Sequence, residues 1–144
     1  MMKADPKTEA AVLAVMDKFT ESYRNRDVDG LMALVAPDDD TFLFGTGADE
    51  KRTGPDEFRH QAERDWSQRE ASDFQLSWGQ VSAAGPVAWV AGVGTCQGPI
   101  GGQEIGSPLR LTAVLENRGD QWFMVQSHFS LPAGDQENGG SVPV

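Results

Sequence analysis

The stretch QEIGSPLRLTAVLENRGDQWFMVQSHFS, residues 103–130, decides the fold of this chain. Much of it alternates apolar and polar residues, which is the pattern of β-strands with one buried face. The segment Asn117–Asp120 interrupts the alternation with residues that favour turns. The stretch therefore predicts two long antiparallel strands, near 103–117 and 121–131, joined by a turn.

Two further strands are predicted upstream of this hairpin. Phe74, Leu76 and Trp78 alternate with polar residues in a strand near 73–83, and a strand near 87–97 follows the Gly85-Pro86 turn. The four strands form a meander, in which each strand pairs with the next. The glycines between 92 and 102 precede no helix, so they indicate bends in a curved sheet rather than a phosphate-binding loop.

Three amphipathic helices are predicted before the meander, because apolar residues there recur at spacings of three and four. The helices lie at 7–24, from Asp27 to Pro37, and from Pro55 to about Arg69, with a brief strand at 41–44 and a loop or weak edge hairpin at 46–52. Helices followed by an antiparallel meander indicate an α+β domain whose sheet is covered by helices on one face. A strongly twisted sheet of this kind wraps into a cone.

The 144 residues suffice for one domain, which we place at residues 1–131. Residues 132–144 are rich in Gly, Pro and polar residues without any period, and they predict a disordered tail. The apolar run Ala10–Met16 is too short to span a bilayer, so no membrane segment and no signal peptide are expected.

The composition excludes several classes of partner. The net charge of −10 disfavours nucleic acids and anionic membrane surfaces. The single cysteine, Cys96, cannot form an internal disulfide, which favours a reducing cytoplasm. One thiol and two histidines make a weak zinc site, and the acidic run Asp38–Asp40 is more typical of solvated charges. We expect no metal and no cofactor.

Three motifs resemble the SnoaL-like branch of the nuclear transport factor 2-like superfamily, which includes the association domain of calcium/calmodulin-dependent protein kinase II. They are YRNRDVDGLMAL at 23–34, RLT at 110–112 and WFMVQSHFS at 122–130. The resemblance covers residues 7–131 and implies the cone-shaped, cystatin-like fold. It does not imply one function, because the superfamily contains an isomerase, cyclases, dehydratases, transport adaptors and assembly domains.

The resemblance also implies where functional residues would lie. The ketosteroid isomerase branch uses a Tyr and an Asp at positions that match Phe19 and the neighbourhood of Phe44 here, which predicts no ketosteroid isomerisation. The kinase association domain holds several arginines in its cavity, and one of them matches Arg110. Other matched positions carry Ala91 and Phe129, so only part of that cationic pocket is reproduced.

Strand periodicity assigns the faces of the last strand. We expect one set to point into the cone and the other to meet a second subunit. The inward set is Phe123, Val125, Ser127, Phe129 and Leu131, and the outward set is Trp122, Met124, Gln126, His128 and Ser130. On this interpretation His128 is an interface or core histidine rather than a base, and His60 is solvated on its helix.

Arg110 is expected to point into the cone, where it binds an anionic ligand or pairs with Glu57 or Asp65. Aromatic residues of the helices and strands, Phe19 and Phe44 among them, are expected to converge on the cavity, and buried Cys96 is expected to be inert. The candidate ligand-binding residues are Tyr23, Trp66, Trp89, Arg110, Thr112, Ser127 and Phe129.

Three functions remain open from the sequence. The first is a homodimer, associated through the sheet face, that holds a small anionic or carboxylate compound near Arg110 in an apolar pocket. The second is an enzyme of the isomerase, cyclase or dehydratase type that uses Asp65, Glu57 or His128. The third is an oligomerisation module in which the cavity has no ligand.

Overall fold

The computed structural model of the protein describes residues 2–68, 73–100, 103–134, 136 and 138–141. Helix α1, Pro6–Arg24, begins where a carboxylate oxygen of Asp5 accepts a hydrogen bond from the Thr8 amide at 2.8 Å. Pro6 occupies the first turn, where its missing amide hydrogen costs nothing. The helix buries one face, made of Val12, Met16 and Phe19.

Helices α2, Val28–Met32, and α3, Pro55–Gln68, follow in the predicted order. Asp27 caps α2 by accepting from the Gly30 amide at 3.0 Å. Helix α3 starts after Gly54, whose φ of 85° lies in the region that favours glycine. Its buried residues are Phe58, Gln61, Ala62 and Trp66. The predicted end near Arg69 lies outside the described residues.

Seven described strands form one sheet. They are β1 Phe42–Phe44, β2 Lys51–Thr53, β3 Asp73–Trp78, β4 Ser82–Ala84, β5 Val87–Ile100, β6 Gln103–Arg118 and β7 Gln121–Ser130. Their order is β2-β1-β7-β6-β5-β3, and β4 also pairs with β5. All pairings are antiparallel except that of β1 with β7. This sheet, together with the three helices, confirms the α+β prediction.

Two details of the strand prediction are resolved by this sheet. The sequence left either a loop or a weak edge hairpin open for the segment 46–52. The structure has the edge hairpin, in which β1 pairs with β2 and Leu43 lies opposite Arg52. The strand predicted at 73–83 is divided into β3 and β4. Strand β3 ends just before Gly79, and β4 begins at Ser82. Between the two strands, the carbonyl of Val81 accepts a hydrogen bond from the Ala4 amide at 3.0 Å. The interruption therefore anchors the N-terminal residues to the sheet.

Strand β6 faces the helices with its apolar residues. Leu109, Leu111, Ala113 and Leu115 are buried, whereas Arg110 and Thr112 are exposed. The prediction that Arg110 and Thr112 point into the cone is therefore wrong. The physical reason is plain in the strand itself, because four apolar side chains at alternate positions bury more area than an arginine and a threonine would.

Strand β7 changes faces because it contains a β-bulge. Val114 of β6 pairs with Gln126, but the next residue, Leu115, pairs with Met124, so Val125 is an extra residue on β7. After the bulge, Ser127 is buried and Phe129 half-buried, as predicted. In the part of β7 before the bulge, the side chains point to the opposite sheet face from the one predicted. The buried residues are Trp122 and Met124, and the half-buried ones are Phe123 and Val125.

The sheet face turned away from the helices is called the outer face below. Trp89, with 37% of its surface exposed, and Phe44, with 42%, both lie on the exposed side of their strands. Ala88, Val90 and Leu43 are buried instead. The expectation that Trp89 and Phe44 converge on the cavity is therefore wrong. His128 is exposed beside Phe44, with ring centroids 5.2 Å apart, so its predicted outward orientation is confirmed.

Residues 132–134, 136 and 138–141 contain no helix or strand, and 135, 137 and 142–144 lie outside the described residues. Disorder of the segment 132–144 stays a prediction. None of the described helices is both long and apolar enough to span a membrane.

Candidate active site

A cavity of about 190 Å³ lies between the helices and the sheet. Its walls are largely aromatic and aliphatic. Phe19 and Tyr23 come from α1, Phe58 and Ala62 from α3, and the strands supply Phe74, Cys96, Ser107, Leu109 and Phe129. Tyr23 packs against Phe74 with ring centroids 4.7 Å apart, and Phe19 stacks on Phe129 at 5.8 Å. The cavity therefore has the apolar body that is typical of small-molecule sites.

One end of the cavity is polar. Asp65, which lines it, accepts a hydrogen bond from the Tyr23 hydroxyl at Oδ2, 2.7 Å away, and from Gln61 Nε2 at Oδ1, 2.8 Å away. The same Gln61 nitrogen donates to Oε1 of Glu50 at 2.8 Å. The amide group of Gln61 thus donates hydrogen bonds to two carboxylates, those of Glu50 and Asp65. Glu50 keeps 12% of its side chain exposed, and Gln61 is buried.

Two arginines, Arg52 and Arg64, donate hydrogen bonds to this network but do not line the cavity. Arg52 Nε donates to the Gln61 carbonyl oxygen at 2.9 Å, which fixes the orientation of the amide. Arg64 donates to Glu50 at 3.1 Å and to both oxygens of Asp49 at 2.8 and 3.2 Å. The Arg64 hydrogen bond lowers the pKa of Asp49, and the two carboxylates raise the pKa of Arg64. We call Tyr23, Glu50, Gln61 and Asp65 the polar network.

Local structure explains how the polar network assembles. Gln61 and Asp65 are four residues apart on α3, so they share one helix face. Tyr23 belongs to the last turn of α1, and its carbonyl accepts from Trp66 Nε1 at 3.0 Å, which ties the two helices together. Glu50 precedes β2, where its carboxylate also accepts from the Gly47 amide. Three separate elements therefore converge on one end of the cavity.

A family model for the SnoaL-like domain matches residues 12–134. The chain belongs to the SnoaL-like domain family. This assignment confirms the resemblance found in the sequence, and the cavity described above is the cavity of a SnoaL-like domain. The search of the curated proteins finds no match.

Solved structures are similar to this SnoaL-like chain over most of its length. A nuclear transport factor 2-like protein of unknown function from Pseudomonas putida KT2440 has 23% identity and a TM-score of 0.79, with 96% of this chain and 95% of that chain covered. A ketosteroid isomerase-like protein from Erwinia carotovora atroseptica SCRI1043 has 15% identity and a TM-score of 0.75, with 89% and 98% covered.

A third similar structure comes from Xanthomonas campestris and is assigned to the calcium/calmodulin-dependent protein kinase II association domain. It has 20% identity and a TM-score of 0.71, with 93% of this chain and 96% of that chain covered. At these identities the three structures establish the nuclear transport factor 2-like fold alone.

Within the SnoaL-like cavity, two of the predicted ligand-binding residues line the wall, namely Tyr23 and Phe129. Two more are buried nearby without lining it. Ser127 lies on the inner side of β7, and Trp66 packs against Tyr23 with ring centroids 5.6 Å apart. The binding roles of these four residues stay predictions.

The remaining three predicted ligand-binding residues, Arg110, Thr112 and Trp89, are exposed and do not line the cavity. The structure places Arg110 Nη2 3.5 Å from the carbonyl oxygen of Leu131. The alternative, an internal ion pair with Glu57 or Asp65, is also wrong, because Arg110 lies on the outer face. The described cavity is therefore not a cationic pocket built on Arg110.

Of the three residues considered for acid–base chemistry, only Asp65 lines the cavity. Glu57 instead accepts from the Thr53 amide at 3.3 Å at the start of α3, and His128 is on the outer face. His60 is exposed on α3, as predicted. Phe19 lines the cavity where the isomerase resemblance placed it, but Leu43 lines it in place of Phe44.

Two residues of the polar network were missed by the sequence analysis. Gln61 carried a usable signal, because it lies between Phe58 and Ala62 on the apolar face of an amphipathic helix. A polar residue at such a position needs buried partners. Glu50 carried no such signal, since it lies in a polar loop.

Among the described residues, no three His, Cys, Asp or Glu side chains come together as metal ligands, and the metal-free expectation stays a prediction.

Proposed function

We propose that this SnoaL-like protein binds one small molecule in the cavity, with the apolar part of the ligand against the aromatic walls. The observation that supports the proposal is the polar network at one end of a cavity whose walls are largely aromatic and aliphatic. Buried polar groups impose a cost unless they are paired, and a cluster of them facing an apolar chamber is typical of recognition sites. The polar end orients the ligand and the walls supply most of its binding free energy.

The size of the cavity limits the ligand. A cavity of about 150 Å³ in another protein holds a benzene molecule. The 190 Å³ here therefore suits a single ring or a short branched chain. The anionic ligand expected at Arg110 is not part of the proposal, because Arg110 lies outside the cavity.

Filling the cavity tests this function. Ala62 is buried in the cavity wall, so Ala62→Leu places three additional carbon atoms there. Ala91 is exposed on the outer face, so Ala91→Leu is a matched control with the same substitution. We expect single-ring probes to raise the melting temperature of wild type and of Ala91→Leu but not of Ala62→Leu. Equal stabilisation of all three proteins would place binding elsewhere.

A second candidate function is proton transfer by Asp65. Its carboxylate lines the cavity and is oriented by Tyr23 and Gln61, as a general base must be. A cavity-sized ketone such as cyclohexanone provides a test, because exchange of its α-hydrogens for deuterium is followed by NMR. We expect accelerated exchange that disappears in Asp65→Asn. The same rate with and without protein would contradict this candidate and leave the binding proposal in place.

We further propose that the protein is a homodimer associated through the outer face. Trp89, Val93 and Phe44 expose apolar surface there. Positions 87–97 of β5, 106–114 of β6 and 126–130 of β7 contain no acidic residue, although the chain carries 22 of them. Two copies with a net charge of −10 repel each other least through such a face. Cys96 is the single cysteine of the sequence and cannot form a disulfide within it, which supports location in a reducing compartment such as the cytoplasm.

A further inference from the structure

The cavity has a mouth, and three residues mark its position. Among the described residues that line the cavity, those that are also exposed to solvent are Thr46, Gln68 and Leu131. Thr46 belongs to the loop between β1 and β2, Gln68 is the last described residue of α3, and Leu131 follows β7. Other wall residues, such as Leu31 and Leu109, are buried. The route into the cavity therefore passes between the β1–β2 loop and the end of α3.

The β1–β2 loop, residues 45–50, is folded onto itself. The Gly45 amide donates to the carbonyl of Glu50 at 2.8 Å, and the Glu50 amide donates to the carbonyl of Gly47 at 3.1 Å. The Gly47 amide also donates to the Glu50 carboxylate. In the described sheet, β2 is an edge strand that pairs only with β1. The loop can therefore move as one unit without breaking the pairing of a central strand.

Polar contacts hold this loop against α3. Arg64 of α3 donates to both carboxylate oxygens of Asp49, at 2.8 and 3.2 Å, and to Glu50 at 3.1 Å. Gln61, one helical turn earlier, adds its hydrogen bond to Glu50 at 2.8 Å. The loop has no apolar side chain larger than that of Ala48, which is exposed. Because hydrophobic burial contributes so little here, the position of the loop depends on these polar contacts.

The pair formed by Arg64 and Asp49 is easily broken. Their side chains keep 34% and 69% of their surface exposed, and an ion pair so accessible to water is weak and is screened by salt. Arg64 also lies four residues before Gln68, so the pair is one helical turn from the mouth. Separating Arg64 from Asp49 therefore frees the loop beside the mouth.

We propose that residues 45–50 form a gate, which Arg64 holds closed by binding Asp49 and which admits a ligand when this pair separates. The gate regulates access to the cavity, and it rests on the proposed binding function. Neither Arg64 nor Asp49 lines the cavity. An ion pair outside the cavity thus controls how fast small molecules enter and leave it.

Cys96 reports the opening of the gate without any ligand. It is the single cysteine of the sequence and is buried in the cavity wall, so a small neutral thiol reagent such as methyl methanethiosulfonate must enter the cavity to reach it. Asp49→Lys places a like charge opposite Arg64. We expect this change to raise the rate of Cys96 labelling, followed by mass spectrometry, at least about threefold.

Glu63→Lys is the matched control for Asp49→Lys. Glu63 is also an exposed acidic residue that pairs with an arginine of α3, since its carboxylate lies 3.9 Å from Arg59, and it does not line the cavity. The two variants make the same change of net charge. We expect Glu63→Lys to leave the labelling rate at the wild-type value. An unchanged rate in Asp49→Lys, or an equal rise in the control, would overturn the gate.

Salt separates the gate from a general loss of stability. In wild type, about 0.5 M sodium chloride screens the attraction between Arg64 and Asp49, so we expect faster labelling than at low salt. In Asp49→Lys the same salt screens a repulsion, so labelling should not become faster. Wild-type labelling that salt does not accelerate would overturn the gate even if Asp49→Lys fails to fold. The test needs no ligand, so its failure is distinguishable from failure of the Ala62→Leu test, which concerns binding.

Discussion

Gln61 is the residue on which the candidate site depends most. Its amide joins Glu50 to Asp65, and its carbonyl oxygen accepts from Arg52. Because Gln61 is buried, water cannot replace these hydrogen bonds without entering the cavity. Gln61 therefore positions the two carboxylates at this end of the cavity.

Replacing this amide should be costly. We expect Gln61→Leu to lower the free energy of unfolding by about 1–3 kcal/mol, because it leaves buried polar partners without hydrogen bonds. Urea denaturation measures the change. Gln80→Leu is the control, since Gln80 is exposed and does not line the cavity. Equal stability of the two variants would show that the network does not contribute to the fold.

Asp38 provides a prediction about pH. Sequence reasoning treated it as one of three solvated charges, but Arg118 forms a bidentate pair with it, in which Nη1 lies 3.1 Å from Oδ1. The hydrogen bonds from Arg118 hold the pKa of Asp38 below its ordinary value of 3.8. A depressed folded-state pKa stabilises the protein above the unfolded-state value, and this contribution disappears as the pH falls through the folded-state pKa.

We therefore expect Asp38→Asn to be less stable than wild type near pH 7. The difference should shrink as the pH falls below about 3.8, the ordinary pKa of an aspartate. Urea denaturation at neutral and acidic pH, with both proteins in the same buffers, measures it. A stability difference that stays constant down to pH 2 would show that the pair with Arg118 does not persist in solution.

At the scale of single elements, the sequence predicted which segments are helices and strands better than which way the strands face. The helix positions follow from local spacing, which needs no knowledge of partners. The inward face of β6 was also available from the sequence, as Leu109, Leu111, Ala113 and Leu115 alternate. The resemblance to an arginine-bearing pocket led to the opposite choice for Arg110. The bulge at Val125 has no comparable local signal, because it depends on the register between two strands.

The pairing of β3 with β5 depends on Gly94. A Cβ atom at this position would overlap the backbone carbonyl of Gln75, which cannot move without displacing β3. We expect Gly94→Ala to destabilise the protein by about 2 kcal/mol or more. Gly106→Ala is a matched control on β6, since its Cβ would meet only the Gln97 side chain at 3.7 Å, an ordinary contact. Thermal unfolding that gives the same midpoint for both variants would contradict the prediction.

At the scale of the whole molecule, the mass in solution tests the dimer that we propose through the outer face. We expect the wild type to have twice its chain mass of 15.6 kDa in light scattering at micromolar concentration. Trp89→Glu should shift it towards the monomer, because a charge then meets its own copy in an apolar interface. Met2→Glu is the control, since Met2 is an exposed apolar residue of the N-terminal segment. A monomeric wild type would exclude the dimer.

The position of β7 has a consequence for the order in which the molecule is built. It is the last strand along the chain, yet it lies between β1 and β6 in the sheet. During synthesis, β1 and β2 leave the ribosome long before the strand that joins them to the rest of the sheet. Contacts between residues so distant in sequence form slowly. The cavity is therefore completed only after β7 is made, because Phe129 of β7 forms part of its wall. A nascent chain that ends before Gln121 still lacks this part of the wall.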